Sequence, residues 1–340
     1  MKEKNNKVTE KLQININNQN NSIVFKDFVK KFKKTVIGPF TFNIKRGGVT
    51  AVLGESGSGK SVVLNSIMGI VKNYKGQLFV NGVSRKSPKY YISNSALGYY
   101  TQLEFNLLNI GVFSFLYDIC LSMGIPKDQI NSRIEYWLHF FDLYKDKDKL
   151  LKNFSFGMKN RVCFIICFIN EPDIIILDEP GANLDSIWRE KIKKLLIKYK
   201  EQKRTLIVTL HNIDEMNDII DNYIIIKHGK LLFNGTSKEL DLYIKYKIFM
   251  HNDNNNFNVE DFKEFAQSKN IKVFKYNSEE KTIIVSFSDK NSLNWINLYF
   301  IKKAVPIKKI IKLRIDMESI LRALKGRTPA PTPIEETKNK

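Results

Sequence analysis

The stretch Gly54-Glu55-Ser56-Gly57-Ser58-Gly59-Lys60-Ser61, an unbroken G-x-x-x-x-G-K-[ST], constrains this chain more than any other. It follows the apolar run Val49-Thr50-Ala51-Val52-Leu53 and precedes Val62-Val63-Leu64-Asn65-Ser66-Ile67-Met68. The pattern therefore predicts a strand, a tight loop and a helix in succession. Gly54, Gly57 and Gly59 let backbone N–H groups turn inward around phosphate oxygens, and the helix that starts near Gly59 aims its positive end at the same point. Lys60 adds a mobile point charge, and Ser61 a hydroxyl placed to ligate Mg²⁺. The competing reading is a glycine-rich turn that binds nothing; the strand before the loop and the Lys-Ser pair in register count against it.

A second stretch, Asp173-Ile174-Ile175-Ile176-Leu177-Asp178-Glu179-Pro180, reads as a buried parallel-type strand ending in two acids. At that strand end Asp178 can hold Mg²⁺ through water, and Glu179 can polarise the water that attacks a γ-phosphate. Two adjacent carboxylates are also found in solvated turns; the long apolar run after a phosphate loop argues against that. Thr205 to Leu210 gives another buried strand, ending at His211, and a lone His after a strand is usually structural. Phe32, upstream of the phosphate-loop strand, could stack on adenine, although an isolated aromatic more often packs. Gln102, after the strand-like Tyr99-Tyr100, is a single amide that means nothing alone.

Taken in order, residues 54–61, Gln102, Phe154-Ser155-Phe156-Gly157-Met158-Lys159-Asn160-Arg161, residues 174–180, Gly181-Ala182-Asn183-Leu184-Asp185 and His211 resemble the Walker A, Q-loop, signature, Walker B, D-loop and H-switch of the ATP-binding-cassette (ABC) ATPases. The resemblance covers about residues 22–245. It implies an α/β P-loop fold with a mostly parallel sheet, an antiparallel β subdomain and a helical subdomain. It also implies ATP and Mg²⁺ as cofactors, with Phe32, residues Gly54, Glu55, Ser56, Gly57, Ser58, Gly59, Lys60, Ser61 and Val62, Gln102, Ser155, Gly157 and Asp185 at the nucleotide. Ser61, Gln102 and Asp178 would serve the metal. Glu179 would be the catalytic base, with His211 and Lys60 on the γ-phosphate. In such ATPases two heads close on two ATPs, so a chain with one of each motif must pair with a second copy or a related chain. The family's usual signature is Leu-Ser-Gly-Gly-Gln; here Phe154, Phe156 and Met158 replace the Leu, the first Gly and the Gln, while Ser155 and Gly157 are kept. The form Ser-x-Gly-Met-Lys is similar to that of bacterial drug, bacitracin and lantibiotic-immunity exporters of the ABC-2 type.

Length and composition set the remaining bounds. At 340 residues the chain accommodates one full-sized α/β domain and a smaller one. The expected division is a disordered head at 1–21, an ATPase domain at 22–250, a small α+β domain at 257–325 after an Asn-rich linker, and a disordered tail at 326–340. The C-terminal pattern is helix-like over Val259 to Ser268, strand-like over Ile271 to Tyr276 and Thr282 to Phe287, helix-like over Ser292 to Phe300, strand-like over Val305 to Leu313 and helical again from Met317 to Leu324. Strands also read over Ser22 to Val29, Phe40 to Ile44 and Gly76 to Asn81. No apolar run approaches the roughly 20 residues of a bilayer span, so an integral membrane permease would be a separate chain, with this one at the cytoplasmic face. The net charge of +20 comes mainly from Lys scattered along the sequence. Solvated surface explains it best, an acidic membrane face second and specific nucleic acid least. Cys120, Cys163 and Cys167 have no metal-ligand spacing and read as apolar fillers. A soluble cassette acting on nucleic acid or ribosomes is the alternative, and it wants a coiled-coil insertion, zinc cysteines or two cassettes in one chain. A regulator without turnover would lack Glu179 or Lys60.

Overall fold

Alternation is what builds the first strands. In β2 (Val36–Lys45) Phe40, Phe42 and Ile44 are buried while Thr41, Asn43 and Lys45 face outward, so one face of the strand is committed to a core. It pairs with β1 (Asn21–Lys31), and β1 pairs with a later strand, in the computed structural model of the chain. The structure describes residues 20–106, 108–182, 184–210, 213, 216–240, 244–251, 257–287, 291–313, 320–321 and 324. The expected head before residue 20, His211, residues 252–256 of the Asn-rich stretch, most of the last helix and the tail lie outside the described residues.

Onward from β2 come β3 (Val49–Leu53), α1 (Lys60–Ile67), β4 (Lys75–Val80), β5 (Val83–Ser84), β6 (Leu97–Tyr100), α2 (Val112–Ser122), α3 (Lys127–Phe140), α4 (Phe156–Phe168), β7 (Ile174–Asp178), α5 (Ser186–Glu201), β8 (Thr205–Thr209), β9 (Asn222–Lys227) and β10 (Lys230–Thr236). An antiparallel sheet has the order β2-β1-β4-β5, and a second sheet the order β10-β9-β3-β8-β7-β6. In the second sheet every pair is parallel except the edge hairpin β9–β10. Strands β3 and β8 are buried along their whole length, which is why they read as unbroken apolar runs rather than alternations. The expected α/β P-loop architecture, with its antiparallel and helical parts, is the one present.

The two sheets share a core. Phe25 stacks on Phe42 at 4.6 Å, and with Phe28 and Phe40 they join Val63, Leu64 and Ile67 of α1 and Ile174, Ile207 and Ile226 of the larger sheet. Each such side chain contributes about 1.5–3 kcal/mol when fully buried, so α1 and the loop before it rest on a rigid platform. A second aromatic cluster holds the helices together: Tyr100 stacks on Phe164 at 3.9 Å, and Phe141 lies between Trp137, Phe164 and Trp188. Cys120, Cys163 and Cys167 are free and buried.

After the short α6 (Ser237–Leu240) the chain runs β11 (Ile244–Met250), α7 (Val259–Ser268), β12 (Lys272–Asn277), β13 (Thr282–Phe287), α8 (Ser292–Lys302) and β14 (Ile307–Leu313). These strands form a wholly antiparallel sheet of order β12-β13-β11-β14. The sequence reading left residues 244–250 at the end of the cassette. They instead form the strand between β13 and β14, because Ile248 and Met250 need the apolar cover that Phe262, Ile283 and Ile296 supply. Tyr299 donates to Asp261 Oδ2 at 2.5 Å and Lys303 pairs with the same carboxylate at 2.9 Å, which joins α8 to α7. Those two donors hold the Asp261 carboxyl below its ordinary range. The described residues fall into two compact units, one within Met1–His211 and Met216–Thr236, the other within Asn212–Glu215 and Ser237–Lys340. Among the described residues no helix is long and apolar enough to cross a membrane.

Candidate active site

The loop after β3 is shaped by what its glycines leave out. A β-carbon on Gly54 would sit 2.3 Å from Ile226 O and 2.3 Å from Ser58 Oγ, so only a bare α-carbon fits there. Gly57 and Gly59 have φ of +74° and +113°, conformations that L side chains rarely adopt, and they let the chain curl before α1 begins. The loop is tied down at its back. Gly229 N–H donates to Ser58 O at 3.0 Å and Gly38 N–H donates to Gly229 O at 2.7 Å, so the β9–β10 turn and β2 brace it. Lys227 of β9 pairs with Glu55 at 3.6 Å. Lys60 is only 9% exposed, and its ammonium donates to Gly54 O at 2.8 Å and to Glu55 O at 3.3 Å.

The acids lie two strands away in the same sheet. Val52 of β3 is level with Thr209 of β8, which is level with Asp178 of β7. At about 4.8 Å per strand this sets the phosphate loop and the acids about 10 Å apart, room for phosphate oxygens and a hydrated cation between them. Asp178 and Glu179 are half-buried at the strand end. Glu179 has φ of +54°, a left-handed conformation that breaks the strand's alternation immediately after Asp178. The half-buried Tyr99 of β6 neighbours the pair; burial first, and the charge of Asp178 second, raise its hydroxyl above the usual range.

Thr209 was missed by sequence reasoning. It is wholly buried; its hydroxyl donates to Asp178 Oδ1 at 2.6 Å and accepts the Glu179 N–H at 2.9 Å. Its place two residues before His211 was a positional signal, but threonine is ordinary in strands and so drew no notice.

The other sequence-predicted residues lie on separate elements. Gln102 is exposed just beyond β6, and Phe32 is 47% exposed in the β1–β2 turn with Lys30 Nζ 5.5 Å from its ring centroid, so Phe32 is not a packing residue. Ser155 caps α4 by accepting the Met158 N–H at 3.3 Å, and Gly157 in the first turn has open space where a β-carbon would be. Asp185 caps α5 by accepting the Trp188 N–H at 2.9 Å. Arg161, in the signature stretch, donates to Phe141 O at 2.9 Å and lies 4.8 Å from the Trp188 ring, locking α4 to α3 and α5.

The groups present fit a Mg²⁺-nucleotide. The loop curls on Gly57 and Gly59 with the Lys60 ammonium buried against it, and the Ser58 hydroxyl beside Gly54 is buried without a hydrogen-bond partner among the described residues. Among the described residues no three His, Cys, Asp or Glu side chains gather into a metal cage.

Comparison with known proteins bears on the same region. Residues 37–182 match the ABC transporter family. The energy-coupling factor transporter ATP-binding protein EcfA3 of Clostridium perfringens is 35% identical over 202 residues, covering 58% of this chain and 71% of that protein. This chain is an ABC transporter ATP-binding protein. An uncharacterized ABC transporter ATP-binding protein of Methanocaldococcus jannaschii is 27% identical over 219 residues, 64% of this chain and 79% of the relative. Among solved structures, cbiO1 from Clostridium perfringens, part of the ABC transporter complex cbiONQ, superposes with a TM-score of 0.56 at 29% identity, covering 65% of this chain and 91% of that one. ABC proteins of this kind are ATPases, and the phosphate loop of this cassette lies inside the matched residues.

Proposed function

We propose that this ABC ATPase works as a dimer at the cytoplasmic face of a membrane, hydrolysing ATP to drive a separately encoded integral permease, and that the transporter is an exporter. The observation that carries the hydrolytic part is the phosphate cradle of residues 54–61 in one sheet with the Asp178-Glu179 strand end, with β8 between them. In this reading Lys60 and the loop N–H groups hold the phosphates, and Ser61, Asp178 and Gln102 serve Mg²⁺. The bound Mg²⁺ neutralises charge that develops on the phosphates. Glu179 accepts a proton from the attacking water, and His211 takes the γ-phosphate role that the resemblance implies. Phe32, whose exposed ring is free to stack, takes the adenine. Ser155, Gly157 and Asp185 act on the partner's nucleotide. The exporter assignment rests on the Ser-Phe-Gly-Met-Lys form of residues 155–159. The names of EcfA3 and cbiO1 favour a second reading, an energy-coupling or cbiONQ-like assembly in which the permease differs. Transport in inverted vesicles with the permease from the adjoining reading frame separates the two by direction.

The deciding experiment for the chemistry is Glu179→Gln. The variant is expected to bind ATP normally while turnover falls by about a hundredfold or more, because the water loses its proton acceptor. Near-normal hydrolysis by the purified variant removes Glu179 from the role.

A further inference from the structure

Thr209 belongs to none of the motifs, yet it touches both acids. It closes β8, the strand that separates β3, which delivers the phosphate loop, from β7, which delivers Asp178. A hydroxyl has one hydrogen to give and lone pairs to accept with. Thr209 gives its hydrogen to Asp178 Oδ1 at 2.6 Å, inside the short range of a hydroxyl bonded to a carboxylate, and accepts the Glu179 N–H at 2.9 Å. The residue is completely buried, so water does not compete for either bond. The second bond falls on the peptide of Glu179, whose φ of +54° is held against the usual preference of a non-glycine residue. Packing alone does not account for a hydroxyl here, because Leu206, Ile207 and Val208 fill the same strand with hydrocarbon.

We propose that Thr209 is a positioning residue for hydrolysis: its hydroxyl fixes the carboxylate of Asp178 and clamps the left-handed peptide of Glu179, so that the two adjacent acids leave the strand in separate, fixed directions. The inference rests on the reading that these acids serve metal and water. In that frame a loose Asp178 weakens the metal's support, and a relaxed Glu179 peptide swings the base away from the attacking water, where small displacements are costly.

The test compares Thr209→Val, which keeps the shape and removes the hydroxyl, with Thr209→Ser, which keeps the hydroxyl and loses a methyl. Thr209→Val is expected to lower kcat at least tenfold with KM for ATP changed less than threefold, and to raise the Mg²⁺ concentration for half-maximal rate severalfold. Thr209→Ser should stay within threefold of wild type in each. A readout free of turnover is the Mg²⁺ dependence of ATP binding in a Glu179→Gln background, which Thr209→Val should shift to higher Mg²⁺ because Asp178 is still present there. Unchanged kcat and Mg²⁺ dependence in Thr209→Val, or equal impairment of the Val and Ser variants, overturns the proposal. If Thr209→Val does not fold, Thr209→Ala removes the same hydroxyl without a methyl against the carboxylate. A folded, slow Thr209→Ala supports the role; an unfolded one, beside a normal Thr209→Ser, reduces Thr209 to a structural residue and overturns it. Normal hydrolysis by Glu179→Gln alone sinks the underlying reading, whereas an inactive Glu179→Gln beside a fully active Thr209→Val sinks only this inference.

Discussion

A methyl group on Gly54 meets a backbone oxygen of the neighbouring strand, Ile226 O, at 2.3 Å, and that oxygen belongs to a sheet that does not yield. Gly54→Ala must therefore push the phosphate loop off its seat, and ATP affinity is expected to fall at least tenfold, about 1.4 kcal/mol. Titration with a fluorescent ATP analogue reads this directly; a wild-type Kd would mean the loop relaxes where the geometry says it is pinned. Thiol chemistry gives a second test at this scale. Burial pushes Cys120 and Cys163 up to about 11 and raises Cys167 as well. The thiolate is the reactive form. At pH 8 a thiol titrating near 11 is about 0.1% ionised, against roughly a quarter for an ordinary one near 8.5. Iodoacetamide should thus label the native protein at least a hundredfold more slowly than the urea-unfolded chain, as followed by mass spectrometry. Fast labelling of the native protein would show that these thiols reach solvent.

Among the elements, β11 carries the sharpest consequence, since Ile248 at its centre is fully buried and pairs with Ile283 on one side and Ile310 on the other. Ile248→Asp would bury a charge with no partner, at a cost of several kcal/mol, enough to unfold the second unit. ATP binding should persist and one calorimetric transition should disappear; loss of ATP binding in step with it would show that the two units do not stand independently. The same strand marks a limit of the sequence. Helix α7 was legible at both ends because Asn258 is a side-chain cap, accepting from Glu260 and Asp261 N–H, and Phe262 and Ala266 repeat on one face. Strand β13 was legible as a dense apolar run. The partners of β11, by contrast, lie 33 to 68 residues further on, and local patterning carries no information about which sheet a strand joins. The same division holds at the site. Phosphate-loop glycines and strand-end acids were readable because the chemistry demands those residue types at fixed spacing. Thr209 was not, because its role comes from lying level with Asp178 on the adjacent strand, and the left-handed Glu179 was not, because nothing in a glutamate announces that conformation.

The sequence carries one phosphate loop and one signature stretch, and the signature presents itself outward: Ser155 is exposed at the start of α4, Phe156 is 55% exposed, and a β-carbon on Gly157 would meet nothing within 4 Å. A carboxylate at 157 therefore fits the single chain without strain, and harm from Gly157→Asp must come from what a second chain brings to it, a nucleotide phosphate that repels the new charge. Lys60→Ala damages the site from the other side by removing the buried ammonium that sits against the loop. If each site joins Lys60 of one copy to Ser155 and Gly157 of the other, either variant alone is inactive in both of its sites. A mixed dimer holds one site with both defects and one with neither. Random pairing makes about half of the dimers mixed, so about a quarter of wild-type hydrolysis should return when equal amounts of the two variants are combined and the sites fire independently. ATP-dependent dimerisation, followed by light scattering, covers the case in which the two sites must fire together: mixed dimers then form on ATP with less turnover than a quarter. A mixture that neither hydrolyses ATP nor pairs on it, where wild type does both, would mean that the outward signature serves some other contact and that each chain completes its site alone.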